Sequence, residues 1–327
     1  MDRELVAALF ERLRDGDRTA LARSITLVES TLEGDREHAA ELIARCLPHS
    51  GNSLRLGITG IPGVGKSTFI NAFGLALLAA GHRPAILAVD PSSTRSGGSI
   101  LGDKTRMQDL SAHPEVFIRP SPTGGELGGL ARRTRESMLL CEAAGFDRIL
   151  LETVGTGQSE LEVDLMTDLV ILLAIPGAGD ELQGVKRGIM EIADFIAVNK
   201  ADQVDAAVLE RTMGDLRNAV HLLPSRSGRT AKVVPCSSIT ATGIDELLKL
   251  VETTAAEELA SGVQEERRRS RSVSLLRRDL TRELFRLITG KRSIKEALDV
   301  HEAKVRSGEE DPFQASQAMI TLIRKGV

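Results

Sequence analysis

One short segment constrains the fold of this chain more than any other. Residues 60–67 read Gly-Ile-Pro-Gly-Val-Gly-Lys-Ser and fit the G-x-x-x-x-G-K-[ST] pattern of a phosphate-binding loop. An apolar run over 54–59 precedes the loop, and a helix-like run from Ser67 to Ala80 follows it. A chance match to this pattern in a glycine-rich turn would not need a strand-like run before it or a helix-like run after it. The segment therefore predicts a strand, a phosphate loop and a helix within an α/β domain.

Further apolar runs repeat this alternation of strand and helix. The predicted strands cover 54–59, 85–89, 116–118, 148–151, 169–174, 195–198 and 231–235. Helix-like stretches between them include 130–144, 184–193 and 206–222. This order is typical of a doubly wound, mostly parallel sheet. We expect an N-terminal helical segment at 1–50, the P-loop domain at 51–250 and a C-terminal helical arm at 251–327.

The composition argues against several functional classes. The 327 residues carry a net charge of -4 and include neither Trp nor Tyr, so nucleic-acid binding is not expected. Cys46, Cys141 and Cys236 lie far apart without a C-x-x-C spacing, which argues against a disulfide framework, a structural zinc site and a redox motif. The longest apolar run, 169–176, is too short to span a bilayer. Because no secretory or transit signal is recognisable, we expect a cytoplasmic protein without membrane contact.

The phosphate loop predicts an anion site. Its glycines allow backbone N–H groups to surround phosphate oxygens, and the following helix adds its positive dipole end. Lys66 is expected to bind the β- and γ-phosphates, and the Ser67 hydroxyl to bind Mg²⁺. The predicted nucleotide-contacting residues of this segment are Gly60, Ile61, Pro62, Gly63, Val64, Gly65, Lys66, Ser67 and Thr68.

A second motif predicts which base is bound. Asn199, Lys200 and Asp202 fit the N-K-x-D pattern and follow a predicted strand. A carboxylate accepts two N–H bonds from guanine, a pattern that adenine does not offer, so such a site rejects the wrong base. Ser237 and Ser238 follow the last predicted strand and are candidates for a second wall of the base pocket. Together with the phosphate loop, the motif predicts binding of GTP and GDP, and hydrolysis of GTP.

Carboxylates at two other strand ends are candidate metal or catalytic groups. Glu152 ends a strand, and Gly155 follows three residues later, where its N–H could contact a γ-phosphate. Gln158 could orient water, although an ordinary loop amide fits equally well. Asp90 ends another strand, and Asp103 lies in the glycine-rich stretch that follows. Both are candidates for the Mg²⁺ site or for water positioning on a switch segment, with a turn or helix-cap role as the alternative.

Five motifs in one order give a specific resemblance. They lie at 60–68, 89–93 (Val-Asp-Pro-Ser-Ser), 97–107 (Gly-Gly-Ser-Ile-Leu-Gly-Asp-Lys-Thr-Arg-Met), 152–160 (Glu-Thr-Val-Gly-Thr-Gly-Gln-Ser-Glu) and 176–186 (Pro-Gly-Ala-Gly-Asp-Glu-Leu-Gln-Gly-Val-Lys). The series, dense over about 54–238, resembles the methylmalonyl-CoA mutase-associated GTPases (the MeaB/MMAA/ArgK group) of the SIMIBI class of P-loop proteins. The resemblance implies a homodimeric GTPase that chaperones adenosylcobalamin-dependent methylmalonyl-CoA mutase. It also implies gated cofactor delivery from a cobalamin adenosyltransferase, and protection or reactivation of the mutase.

The resemblance implies roles for individual residues. Lys66 and Ser67 would hold phosphate and Mg²⁺, and the metal and switch region would be served by Asp90, Asp103 and Glu152. The segment 177–186 would contact the mutase, with Gln183 and Lys186 active when hydrolysis is stimulated. From its position alone, Lys186 would be interpreted as a surface lysine. The C-terminal helices would form a dimerisation arm, and turnover would be slow without the partner because no arginine finger is evident in the chain.

Two departures and several rivals remain open. Thr156 stands where Val is expected, and Glu126 stands where a neutral residue is expected. The partner could be an isobutyryl- or ethylmalonyl-CoA mutase instead. A metallochaperone GTPase would need clustered Cys and His ligands, which the sequence lacks. A kinase or ATPase that supports amino-acid transport, and a scaffold that uses GTP only to set its conformation, are the remaining alternatives.

Overall fold

The computed structural model describes residues 3–90, 107–122, 129–153, 159–177, 187–223 and 228–324. The chain divides into two compact units, Met1–Glu266 and Arg267–Val327. The three segments predicted from the sequence, with boundaries at residues 50 and 250, stay predictions.

Seven strands among the described residues form one sheet. They are β1 (Leu54–Gly60), β2 (Pro84–Asp90), β3 (Phe117–Pro122), β4 (Arg148–Glu152), β5 (Leu169–Ala174), β6 (Phe195–Val198) and β7 (Lys232–Pro235). Their order is β3-β2-β4-β1-β5-β6-β7, and every neighbouring pair is parallel. The predicted fold class is therefore confirmed. The strand predicted at 116–118 is longer than its short apolar run suggested, because the pairing with β2 continues to Pro122.

The helices of the first unit precede, connect and follow its strands. They are α1 (Arg3–Arg14), α2 (Arg18–Glu29), α3 (Glu33–Cys46), α4 (Lys66–Ala79), α5 (Gln108–Ser111), α6 (Gly129–Ala143), α7 (Ser159–Met166), α8 (Arg187–Ile192), α9 (Ala206–Leu222) and α10 (Ile244–Ala260). Because the strands are parallel, each connection returns the chain to the same starting edge. The last residues of β1, β4, β6 and β7 consequently lie at the opposite, carboxyl edge, where ligands bind in open α/β sheets.

The sheet is buried on both faces, as its near-continuous apolar strands predict. On β4, Ile149 and Leu151 join one apolar cluster, whereas Leu150 joins the other, so alternate residues face opposite sides. The first cluster contains side chains of α1, α2, α3 and α6, and the second contains those of α4 and α10. The N-terminal helices therefore share one core with the sheet.

Three aspartates stand immediately before strands and join neighbouring strands at the amino edge. The Asp147 carboxylate accepts from the Arg83 backbone N–H at 2.7 Å, and Asp168 accepts from the Arg55 N–H at 2.8 Å. Asp194 accepts from the Val170 N–H at 2.9 Å. Each of these bonds satisfies a backbone donor where the ladder of strand hydrogen bonds begins.

A buried ion pair closes the same edge. The Arg55 guanidinium donates twice to Glu142 on α6, at 2.8 and 2.9 Å, and the two side chains are 13% and 2% exposed. The carboxylate also accepts from the Ser53 hydroxyl at 2.5 Å and from the Gly51 N–H at 2.8 Å. Burial raises the pKa of Glu142, but the Arg55, Ser53 and Gly51 contacts outweigh it and hold that pKa below its usual value.

The second unit consists of helices. α11 (Val263–Thr289) begins in the first unit and continues into the second, where α12 (Arg292–Ser307) and α13 (Pro312–Arg324) follow. Ile294, Ala315 and Met319 are buried, and a groove of about 550 Å³ is lined by residues that include Phe285 and Leu298. Among the described helices of the whole chain, none is long and apolar enough to cross a membrane.

Candidate nucleotide site

The loop after β1 has a backbone that only glycine adopts readily. Gly60, Gly63 and Gly65 have φ values of 150°, 79° and 96°. A Cβ on Gly60 would lie 2.7 Å from the Leu173 carbonyl oxygen, and one on Gly65 would lie 3.0 Å from the Asn199 Nδ2 atom. These glycines therefore allow the loop to lie close to β5 and to the base motif. The result is a backbone cradle of the kind that binds phosphate.

The phosphate-loop lysine lies over this cradle. Lys66 is the first residue of α4, and its ammonium donates to the carbonyl oxygens of Gly60 at 2.8 Å and Ile61 at 3.1 Å. The first helical hydrogen bond runs from the Phe69 N–H to the Gly65 carbonyl, so the positive end of α4 faces the loop. Thr68, in the same turn, is exposed. A cation and a helix N-terminus thus converge on one anion site.

A hydroxyl and a carboxylate lie side by side next to the loop. The Ser67 hydroxyl donates to the Glu152 carboxylate at 3.2 Å, and both residues are buried. Glu152 ends β4 and is paired in register with Ile58 of β1, which places it beside the phosphate loop. Hard oxygen donors of this kind suit Mg²⁺, so the pair fits the predicted metal.

Of the other predicted metal and catalytic residues, the structure describes the position of Asp90 alone. Asp90 is the last residue of β2, whose neighbour β4 ends in Glu152, so both strand ends lie at the carboxyl edge. Asp103, Gly155, Gln158 and Lys186 lie outside the described residues, and so do Gln183, Glu126 and Thr156. The roles assigned to these residues from the sequence stay predictions.

The first two residues of the base motif hold the phosphate loop. The Asn199 side-chain amide donates to the Val64 carbonyl oxygen at 2.9 Å, and the Lys200 ammonium donates to the Gly63 carbonyl oxygen at 3.0 Å. Lys200 has a left-handed backbone with φ of 61°, which is uncommon outside glycine. Asp202 lies in the short turn that follows, and it is exposed. The predicted role of Asp202 in reading a base stays a prediction.

The loop after β7 holds the Asn199 side chain of the base motif by hydrogen bonds. The Asn199 side-chain oxygen accepts from the Ser238 N–H at 3.0 Å and from the Ser238 hydroxyl at 2.7 Å. The Ser237 hydroxyl accepts from the Thr240 N–H at 3.1 Å. Both serines are buried; the Ser237 hydroxyl bonds within its own loop, and the Ser238 hydroxyl bonds to the base motif. Burial raises the pKa of the neighbouring Cys236 thiol to about 12, which leaves it neutral.

Asn71 is a residue near the site that sequence reasoning missed. It lies on α4, and its side-chain amide donates to Asp109 at 3.1 Å and accepts from the Leu110 N–H at 3.1 Å. A Cβ on Gly74, one turn along α4, would come within 2.6 Å of Leu110. Asn71 and Gly74 thus attach α5 directly to the helix that carries Lys66 and Ser67. An asparagine inside a helix-like run was the available signal.

The geometry defines a class. A phosphate cradle with its lysine, a serine–carboxylate pair suited to Mg²⁺ and an N-K-x-D motif meet at the carboxyl edge of a parallel sheet. These are the parts of a P-loop GTPase. Residues 21–293 also match the sequence profile of the family described as methylmalonyl Co-A mutase-associated GTPase MeaB. The chain belongs to this family, and it is a GTPase.

Individual relatives agree with the family assignment. A protein named putative GTPase from Caulobacter vibrioides is 56% identical over 243 residues, which is 74% of each chain. The mouse protein named methylmalonic aciduria type A homolog, mitochondrial, is 41% identical, with 98% of this chain and 80% of the mouse protein covered. A solved structure described as LAO/AO transport system kinase superposes with a TM-score of 0.78 at 34% identity and covers 99% of both chains. The resemblance stated from the motifs is confirmed.

Proposed function

We propose that this GTPase is a chaperone of adenosylcobalamin-dependent methylmalonyl-CoA mutase that gates cofactor delivery and protects or reactivates the mutase. The observation that carries the proposal is the joint occurrence of the nucleotide site with a match to a mutase-associated family over residues 21–293. The name of the mouse relative, which refers to methylmalonic aciduria, supports the same pathway for the partner.

GTP binding and hydrolysis would use the groups at the carboxyl edge. The ammonium of Lys66 lies at the loop that would hold the phosphates and offsets negative charge that develops during phosphoryl transfer. Ser67 and Glu152 would hold Mg²⁺, which neutralises phosphate charge when bound. Asp90 and Asp103 are the further candidates for this region. Asp202 would accept the two N–H bonds of the guanine edge, and Asn199 and Lys200 would keep the phosphate loop in register with it.

Turnover would be slow in the isolated protein and faster with the mutase. Lys66 and Lys200 are both engaged with loop carbonyls, and neither is a mobile cation brought in by a partner. We assign that role to Lys186, in the segment 177–186, which also contains Gln183, and we keep Gln158 as the candidate for orienting water. A cation supplied to the phosphates in this way accelerates hydrolysis by about 10³-fold or more in other GTPases.

The decisive experiment is steady-state hydrolysis of GTP, with ATP as the control substrate, with and without purified methylmalonyl-CoA mutase. We expect hydrolysis selective for GTP that rises about tenfold or more with the mutase, and we expect Lys186→Ala to lose the rise. If hydrolysis rises instead with an isobutyryl- or ethylmalonyl-CoA mutase, that mutase becomes the assigned partner. GTP turnover of tens per second without any partner would contradict the proposal.

A transport-related kinase is the second candidate, because the solved relative that covers nearly the whole chain is described as a transport system kinase. The N-K-x-D motif favours guanine over adenine, as its exposed Asp202 can accept two N–H bonds. ATP turnover that exceeds GTP turnover would favour this candidate. The two candidates are therefore separated by the ATP arm of the same assay.

A homodimer built by the second unit is part of the proposal. α11 exposes a stripe of large apolar side chains at helical spacing, Val273, Leu276, Leu280, Leu284 and Leu287, each at least 48% exposed. Such a stripe is typical of a helix that packs against another chain. We expect Leu280→Glu combined with Leu284→Glu to yield monomers in light scattering. The control, Leu222→Glu on α9, replaces another exposed leucine, in the first unit, and should leave the dimer intact.

A further inference from the structure

Two hydrogen bonds and one close packing contact attach the short helix α5 to α4. The Asn71 side-chain amide donates to the Asp109 carboxylate at 3.1 Å, and the Asn71 side-chain oxygen accepts from the Leu110 backbone N–H at 3.1 Å. The Leu110 side chain lies over Gly74, where a Cβ would come within 2.6 Å of it. An amide offers both a donor and an acceptor, which a carboxylate or an ammonium does not. Asn71 therefore suits this pair of partners, of which one accepts and the other donates.

The attachment lies on the face of α4 that carries the predicted Mg²⁺ ligand. Ser67 and Asn71 are four positions apart, so they share one face of the helix and lie about 6 Å apart along its axis. The Ser67 hydroxyl donates to Glu152. On the same helix, Phe69 and Phe73 are fully buried and stack with their ring centroids 5.4 Å apart. The core thus holds α4, and α5 is the element that Asn71 positions.

α5 also stands at the end of the 97–107 motif. Met107, the residue before α5, is fully buried in the same apolar cluster as Phe69. Asp103, the candidate for the Mg²⁺ site, lies outside the described residues and precedes Met107 by four positions in the sequence. Four residues of chain span at most about 14 Å, so the attachment of α5 limits how far Asp103 can lie from α4. The contacts of Asn71 therefore reach the candidate metal region through α5.

We infer that Asn71 is a positioning residue for the Mg²⁺-dependent hydrolysis of GTP. Its amide fixes α5 against α4 and keeps the end of the 97–107 motif beside the turn that carries Ser67. A group held in place loses less freedom when it engages the metal and the phosphates, so the rate depends on the attachment. The inference rests on the proposed Mg²⁺ site, and Asn71 acts there through α5 rather than by contact with nucleotide or metal.

The test exchanges the donor and the acceptor in the full-length protein. Asn71→Ala removes both hydrogen bonds, and Asn71→Asp places a second carboxylate against that of Asp109. Each should lower kcat for GTP hydrolysis about tenfold and raise the Mg²⁺ concentration at half-maximal rate about fivefold. The double variant Asn71→Asp with Asp109→Asn reverses the bond at unchanged net charge, and its carboxylate still accepts from the Leu110 N–H. It should recover kcat to within about twofold of the wild type.

Two binding measurements distinguish positioning from a general loss of structure. The dissociation constant for GDP in EDTA reports on the phosphate loop and the base motif without metal, and it should stay within about twofold in every variant. The gain in affinity that Mg²⁺ brings to a non-hydrolysable GTP analogue should be about fivefold smaller in Asn71→Ala than in the wild type. The matched control is Gln108→Ala, which replaces the exposed neighbour of Asp109 on α5 and should change none of these quantities.

The outcomes separate this inference from the function on which it rests. A wild-type protein whose GTP hydrolysis does not require Mg²⁺ would overturn the proposed metal site itself. If the wild type requires Mg²⁺ but Asn71→Ala keeps kcat and the Mg²⁺ requirement within twofold, Asn71 does not position the site. An equal loss of GDP binding in EDTA would assign Asn71 to the structure of α4 instead. A double variant that is folded in thermal unfolding but stays tenfold slower would show that the bonds to α5 are not the cause.

Discussion

The two edges of the sheet use their polar side chains in different ways. At the amino edge, Asp147, Asp168 and Asp194 join neighbouring strands, and the Glu142 carboxylate is surrounded by donors. At the carboxyl edge, Lys66, Asn199 and Lys200 all donate to carbonyl oxygens of one glycine-rich loop. These contacts use the acceptors of that loop and none of its N–H donors, which are the groups that bind an anion. The amino edge is thus built for stability, and the carboxyl edge is built for binding.

The largest expected effect breaks the carboxyl edge. Lys66→Ala removes the ammonium from the phosphate loop and should lower the rate of GTP hydrolysis by about 10²–10³-fold. Stability should change little, because Lys66 is only half-buried and its ammonium donates to carbonyl oxygens of the loop itself. Steady-state hydrolysis and thermal unfolding check the two halves of this prediction. A variant that retains more than a tenth of the wild-type rate would contradict the assignment of Lys66.

A substitution at the amino edge should have the opposite effect, lowering stability and leaving GTP hydrolysis nearly unchanged. Arg55→Met leaves the buried Glu142 carboxylate without its guanidinium and should cost about 3 kcal/mol of unfolding free energy. GTP hydrolysis measured well below the melting temperature should remain close to wild type. The control is the double variant Arg55→Met with Glu142→Met, which removes both charges and should recover most of the stability. Chemical denaturation measures the free energy of unfolding of each variant. A loss of GTP hydrolysis without a loss of stability would contradict the assignment of the amino edge to stability.

Asn199 should show both signatures because it joins two loops. Asn199→Ala leaves the Val64 carbonyl and the Ser238 donors without their partner, which should cost about 1–2 kcal/mol of stability. It also releases the phosphate loop from the base motif, so the dissociation constant for GDP should rise about tenfold. Ser238→Ala removes only the hydroxyl donor and should shift both quantities in the same direction by less. Unchanged GDP affinity in Asn199→Ala would show that the bond from Asn199 to the phosphate loop does not contribute to nucleotide binding.

The smallest expected effect is the pH dependence of the amino edge. Because the folded-state pKa of Glu142 lies below its usual value, its contribution to stability is present above the unfolded-state pKa of about 4.3. It is lost as the pH falls through the folded-state pKa, when the carboxylate binds a proton. Wild-type stability should therefore fall more steeply below about pH 4.3 than that of the Arg55→Met, Glu142→Met double variant. Parallel slopes in melting temperature against pH would show that Glu142 is not the group concerned.

The sequence predicted the strands well because buried parallel strands are apolar throughout. Each of the seven predicted strands has its counterpart, and the phosphate loop and α4 lie where the motif places them. The aspartates before β4, β5 and β6 were not singled out, although each stands immediately before a predicted strand. Their role depends on which strands are neighbours, and the order β2-β4-β1-β5 cannot be read from local sequence.

The candidate site was harder to derive in detail. The N-K-x-D pattern indicated guanine, but it gave no sign that Asn199 and Lys200 contact the phosphate loop. Those contacts join residues 135 and 137 positions apart, so no spacing rule along the chain encodes them. The prediction that Ser237 and Ser238 form a wall of the base pocket stays a prediction; nothing in the sequence indicated that the Ser238 hydroxyl donates to Asn199 or that the Ser237 hydroxyl accepts from Thr240. These partners lie on different loops or depend on how the loop closes, and both are properties of the folded chain.

The bridge through Asn199 also has a consequence for how the protein is made. Its amide reaches back to Val64 and forward to Ser238, so three distant stretches of chain meet at one side chain. A chain that is still being synthesised carries the phosphate loop early, yet it lacks the third stretch until residue 238 has been added and β7 has docked. The pocket for the nucleotide is thus one of the last parts of the sheet domain to form. Nucleotide already present in the cell would then favour completed domains over partly folded ones.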